Sequence, residues 1–170
     1  MTSELLAVSD LPAGWSSVPS SDSTSSTPQC FQNVKTDLKP TSKAEATFQG
    51  GSSGLPLLDE SLGYLPGRGQ QAIALISQVL SRCGQISLTS DGATITGTIG
   101  AMSFPAVGDQ SSAWQINLTG TESGISLTVG IDFIVFRKGD TLALIFYGDL
   151  GTPDIQTVEH LVQVAASKLP

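Results

Sequence analysis

The sequence predicts an α+β domain in which an antiparallel sheet is packed by helices. Three observations carry this. Only two segments repeat their apolar residues at the three- and four-residue spacing of a helix, 70–82 and 153–168. The stretch between them is a series of runs rich in β-branched and aromatic residues, punctuated by Gly and Asp. The shortest of those punctuations, Arg137-Lys138-Gly139-Asp140, reads as a tight hairpin between two apolar runs. Neighbouring hairpins, rather than alternating strand–helix–strand units, give an antiparallel sheet.

In order along the chain, Glu4-Leu5-Leu6-Ala7-Val8 reads as a helical turn. It ends at Ser9-Asp10-Leu11-Pro12, because proline drives its predecessor out of the α region. Gly14-Trp15 begins an extended piece. The Ser/Thr tract at 20–27 is too poor in apolar side chains to offset its ordering entropy and reads as a surface loop. Residues 43–49 alternate, with Ala44, Ala46 and Phe48 on one face, as a half-buried strand does. The glycines and serines of 50–54 break that strand, and 57–65 resumes the extended run.

Pro66-Gly67 opens the first long helix, in which Ile73, Ile76, Leu80 and Cys83 share a face. Strands are expected at 85–89, 93–102, 112–120, 125–137 and 141–148. In 125–137, Ile125, Leu127, Val129, Ile131, Phe133 and Val135 form a core face. The opposite face runs from Ser126, Thr128, Gly130 and Asp132 to Ile134 and Phe136, grading from polar to apolar. The closing helix is expected to use Thr152 as its N-cap and Pro153 as its first residue. Ile155, Val158, Leu161, Val162 and Ala165 would be buried, with His160 on the wet side.

At 170 residues the chain is of single-domain size, taken as 1–170, and long enough to bury a core without a metal. Its net charge is −7, with eight basic residues and a pI near 4.4. That deficit of Lys and Arg disfavours a nucleic-acid surface and electrostatic attachment to anionic lipid. No apolar run has the length of a membrane span, and the first residues lack the basic and apolar regions of a signal peptide. Two cysteines in a hydroxyl-rich chain with only 14% charged residues point to a disulfide formed outside the cytoplasm. The alternative is a pair of buried thiols acting as small hydrophobes. If the bridge forms, an export signal or membrane anchor is expected upstream of Met1, and membrane attachment would run through that segment alone.

Catalytic and metal-binding patterns are sparse. His160 is the single histidine, and no nucleophile elbow or triad accompanies it. Asp59-Glu60 and Asp149 with Asp154 do not have ligand spacing and read as a solvated loop and a helix-start charge, so no metal is expected. The glycines form no phosphate-cradling loop, so no nucleotide and no cofactor is expected. Trp114 alternates with Ile116 and Leu118 as core, and Trp15 plugs the sheet's edge. The candidate ligand-binding residue is Asp132, a mid-strand carboxylate that must be solvated or paired. Either it is an exposed or ion-paired sheet residue, or it lines a cleft with Ser126 and Thr128 beside it.

Several short stretches together resemble the PknH-like extracellular domain family, the sensor domains of actinobacterial receptor Ser/Thr kinases and related secreted lipoproteins of mycobacterial type. They are Leu5-Leu6 with Asp10-Leu11-Pro12-Ala13-Gly14-Trp15, then Pro28-Gln29-Cys30, then Arg82-Cys83. The series continues with Gly130-Ile131-Asp132, Val135 through Asp140, and the tail Ala165-Ala166-Ser167-Lys168-Leu169. The resemblance implies an extracytoplasmic, non-catalytic sensor or ligand-binding domain of the cell envelope, with a Cys30–Cys83 disulfide. Its partner would be a small molecule, glycan or lipid. Leu80 stands where the family often has Trp, and there are no cysteines for the second disulfide common in kinase-linked members. Both departures tilt the expectation toward a lipoprotein or secreted relative. The alternative function is a secreted lipid- or glycolipid-binding lipoprotein with a deep apolar cavity. A simpler relative by architecture is the Mog1/PsbP-like fold.

Overall fold

The computed structural model describes residues 1–19, 38–52, 54–90, 93–122 and 125–170. Two 3₁₀ turns, Thr2–Glu4 and Val8–Asp10, open the chain. Eight strands follow: β1 (Trp15–Val18), β2 (Ser42–Gly50), β3 (Leu57–Tyr64), β4 (Gln85–Ser90), β5 (Ala93–Ala101), β6 (Gln110–Glu122), β7 (Ile125–Lys138) and β8 (Thr141–Leu150). Helix α1 (Gly69–Arg82) connects β3 to β4, and helix α2 (Ile155–Lys168) closes the chain. All eight described strands belong to one sheet, in the order β1-β2-β3-β8-β7-β6-β5-β4, with every neighbouring pair antiparallel. The expected α+β class with an antiparallel sheet is the observed one.

The sheet is covered on both faces. On one, α1 lays Ala72, Ile73, Ile76 and Leu80 against Trp114, Ile116, Phe133, Val135 and Leu142. Phe133 and Phe146 stack there with ring centroids 4.0 Å apart. On the other, α2 lays Val158, Leu161, Val162 and Ala165 against Ile134, Phe136, Ala143, Ile145, Leu58 and Leu62. Leu5 and Leu6 of the opening segment join this second core. Side chains alternate along a strand, so successive residues of β7 feed opposite cores. The expectation of a single core face on β7 is therefore corrected for its C-terminal half, where both faces are buried. At its other end Leu127, expected in the core, is 51% exposed, because α1 reaches the sheet nearer the hairpin.

The hairpin falls where the turn residues put it. Lys138 pairs with Thr141, and Gly139 has φ 57°, a conformation glycine adopts without steric penalty. Three other expectations need correction. The opening helical turn is two 3₁₀ turns with extended Leu5 between them. The N-cap of α2 is Asp154, whose Oδ2 accepts from the Thr157 amide at 3.1 Å and from the Thr157 hydroxyl at 2.5 Å. Helix α2 thus starts two residues later than Thr152 would require, and Ile155 is left partly exposed at its mouth. The 20–27 tract and Cys30 lie outside the described residues.

Candidate functional site: a polar sheet face beside a buried carboxylate

The face that carries α2 is not covered along its whole width. The helix lies over β7, β8 and β3, while 102–107 lays Met102, Phe104 and Val107 beside Ala113. Among the described residues no helix packs on that face over β4, β5 and the adjoining half of β6. The pairing registers show what this part presents. Ser87, Thr96, Thr119 and Thr128 form one row across four strands. Gln85, Thr98, Asn117 and Gly130 form the next. Gln85, Ser87, Thr96, Thr98, Asn117 and Thr119, with Ile86 and Gly97, line an open depression of about 510 Å³. The first six carry neutral hydroxyls or amides, able both to donate and to accept.

The third row is Gly100, Gln115, Asp132, Tyr147 and Leu58, and it marks the change from polar to apolar. Asp132 is 1% exposed. Its Oδ1 accepts from Gln115 Nε2 at 3.4 Å. Burial raises its pKa from the ordinary aspartate value, and the Gln115 bond only partly opposes this. Among the described residues it has no ion-pair partner, so it is neither the exposed nor the ion-paired sheet residue that the sequence offered as one alternative. The cross-strand neighbour Tyr147 has its phenol pushed up to about 12 by burial and by the charges of Asp149, Asp154 and Asp132.

The rim between the depression and α2 depends on Gly130. A Cβ there would meet the carbonyl oxygen of Gly151 and lie 2.7 Å from Cδ of Pro153. The missing side chain lets the 151–153 turn settle onto the sheet, where the Gly151 amide donates to the Thr128 carbonyl at 2.9 Å. Asp132 therefore sits two residues along β7 from this rim, with its carboxyl facing the α2 side.

Ser126 and Thr128 lie on the same strand face as Asp132 but are exposed, beyond the rim. Each hydroxyl is paired across to β6: Thr128 with Thr119 at 3.2 Å, and Ser126 with Thr121 at 3.1 Å. They extend the hydroxyl surface and make no direct bond to Asp132. Sequence reasoning missed Gln85, Ser87, Thr96, Thr98 and Asn117, whose alternation was legible but whose strand partners were not. It also passed over Glu60, read as part of a solvated loop. Glu60 lies at the centre of β3 and is 1% exposed, because it faces the second core.

Cys83 closes α1 and is buried in the first core. It is not a free thiol, and Cys30 lies outside the described residues. His160 is exposed on α2, as its helical position predicted. Among the described residues no cluster of His, Cys, Asp and Glu could hold a metal ion. Nor, among them, is any helix long and apolar enough to cross a membrane.

No protein-family model matches the sequence. No curated protein sequence matches it either. Among solved structures the chain is similar to the extracellular domain of PknH from Mycobacterium tuberculosis. That match has a TM-score of 0.59 at 8% identity and covers 79% of this chain and 68% of that one. Similarity at this identity shows a shared fold. A STAR-related lipid transfer protein from Xanthomonas axonopodis aligns over 91% of this chain and 97% of that one at 8% identity. Its TM-score of 0.29 supports no argument about fold or ligand.

Proposed function

We propose that this chain is a single, non-catalytic ligand-binding domain of the cell envelope whose ligand lies on the polar face of β4, β5 and β6. The observation that carries the reading is the uncovered surface of six neutral hydroxyl and amide side chains around the 510 Å³ depression. Polar side chains on one sheet face are ordinary, but here that face is continuous with a strand surface that turns apolar and covered only at Asp132. A ligand recognised there is neutral and rich in hydroxyl or amide groups, as a glycan chain is. Charged ligands have no partner among the lining residues.

Placement outside the cytoplasm rests on composition, on the family resemblance of the short motifs and on the Cys30–Cys83 bridge, which belongs to the same proposal. Sensor-domain and Mog1/PsbP-like architectures are grouped with it in this reading. The glycolipid alternative asked for a deep apolar cavity, whereas this depression is open to solvent and six of its lining side chains are hydroxyls or amides. Absence of catalysis is proposed because His160 is exposed, Asp132 is buried, and among the described residues no hydrogen bond joins either of them to a nucleophile.

Titration calorimetry with a panel of neutral oligosaccharides tests this reading. An open polar site predicts weak binding, with Kd roughly 10 μM to 1 mM. The double variant Thr98→Val/Asn117→Leu should abolish the heat while leaving the melting temperature close to that of the parent. Binding unaffected by that variant would remove the proposed site.

A further inference from the structure

The opening segment is held down by a carboxyl group buried beneath it. Oε2 of Glu60 accepts from the Leu6 amide at 2.6 Å. Oε1 is buried too, and no group among the described residues bonds it. On either side in the cross-strand row stand Ala46 and Ile145, which offer no polar partner. Leu58 and Leu62 flank it along β3, and Leu5 and Leu6 pack on the same core from above. Two charged groups face it from neighbouring elements: Lys168 at the end of α2 and Asp10 of the second 3₁₀ turn. They are paired with each other, which ties the segment to the helix at a second point. Glu4 is paired with the Met1 amino group at 3.5 Å. On the same face of β8, one row away, lies Tyr147.

An anion in this position is half compensated: one oxygen has a donor, the other has none, and the nearby ammonium is engaged by Asp10. The neutral acid avoids that desolvation penalty. Lifting the segment is the motion that lets solvent reach both oxygens without unfolding the sheet, since residues 1–11 belong to no strand.

We propose that residues 1–11 form a strap closed over Glu60 whose closure is coupled to the protonation of that carboxyl, shut when it is neutral and loosened when it ionises. Burial moves the group from 4.5 up to about 7 in the closed form, against the pull of the Leu6 amide and Lys168. The raised value fixes the sign. Closure is most favourable below pH ~4.5 and weakens through about pH 7, because opening releases a proton. Release uncovers the part of the core on which Leu5 and Leu6 rest.

The test is amide hydrogen exchange of the full chain at several pH values from 5 to 8, corrected for intrinsic rates. The reporters are Leu6, with Ile134 in β7 as the internal reference. Protection of Leu6 should be lower than that of Ile134 and should fall by up to about tenfold per pH unit between 5 and 7. In Glu60→Gln that pH dependence should vanish. In Asp10→Asn protection should drop at every pH while the slope stays. A flat profile in the parent, an unchanged slope in Glu60→Gln, or exchange of Leu6 only together with Ile134 would each overturn the proposal.

Discussion

Replacing Gly130 with alanine puts a methyl group against the carbonyl oxygen of Gly151 and 2.7 Å from Cδ of Pro153. Both contacts are with backbone or with a ring that cannot rotate aside, so the 151–153 turn must lift. The backbone at Gly130 is ordinary strand, so the whole effect comes from this collision. Overpacking of this kind destabilises by about 1–3 kcal/mol. Lifting the turn also breaks the 2.9 Å bond from the Gly151 amide to the Thr128 carbonyl, a further loss of about 1 kcal/mol. A total of about 2–4 kcal/mol lowers the melting temperature of a domain this size by roughly 5–15 °C. Differential scanning calorimetry reads this directly. Spectra of the variant should show the largest amide shifts in 128–132 and 149–155, around the rim of the proposed site. A melting temperature within about 2 °C of the parent would refute the claim that the turn is seated on the sheet through the missing side chain.

Other outcomes follow from the same contacts. In Glu60→Gln the stability difference from the parent should depend on pH. Between about 4.5 and 7 the folded parent keeps a proton that the unfolded chain has released, so parent stability falls as pH rises, by about 3 kcal/mol across the window. The variant lacks this loss and gains on the parent from pH 5 to pH 8, as melting scans in matched buffers would show; a constant difference would exclude it. Asp154→Ala removes the N-cap of α2 and should lower the melting temperature by a few degrees at pH 7, with the difference shrinking as acid protonates Asp154 in the parent. If Cys30 and Cys83 are joined, reduction removes about 4 kcal/mol and lowers melting by roughly 10 °C. Intact mass after alkylation without reductant should then show no modified thiol.

Much of the fold was legible because its signals were local. The 3.6-residue stripe of 70–82, the alternation of 43–49 and the Gly139 turn each declare an element without reference to any other. What sequence could not supply was which elements meet. Glu60 follows Asp59 and reads as solvated, yet the register of β2, β3 and β8 turns it inward beneath Leu6. Asp132 read either as an exposed or ion-paired carboxylate or as the wall of a cleft, and it is buried on the face where α2 and the 151–153 turn arrive from the far end of the chain. The depression has the same origin. Gln85, Thr98 and Asn117 are far apart in sequence and lie in one row only through two successive hairpin registers. Polar residues on a strand declare a face but not the neighbours that make it a surface.

The most direct test of the central claim is a map of amide shift perturbations on titration with neutral oligosaccharides, in parallel with anionic oligosaccharides and phospholipid vesicles. The account predicts that a neutral oligosaccharide shifts Gln85, Ser87, Thr96, Thr98, Asn117 and Thr119 first, with smaller changes at Gln115 and Asp132 and none along α1. Perturbations centred on α1, or a response to vesicles or anionic chains alone, would contradict it.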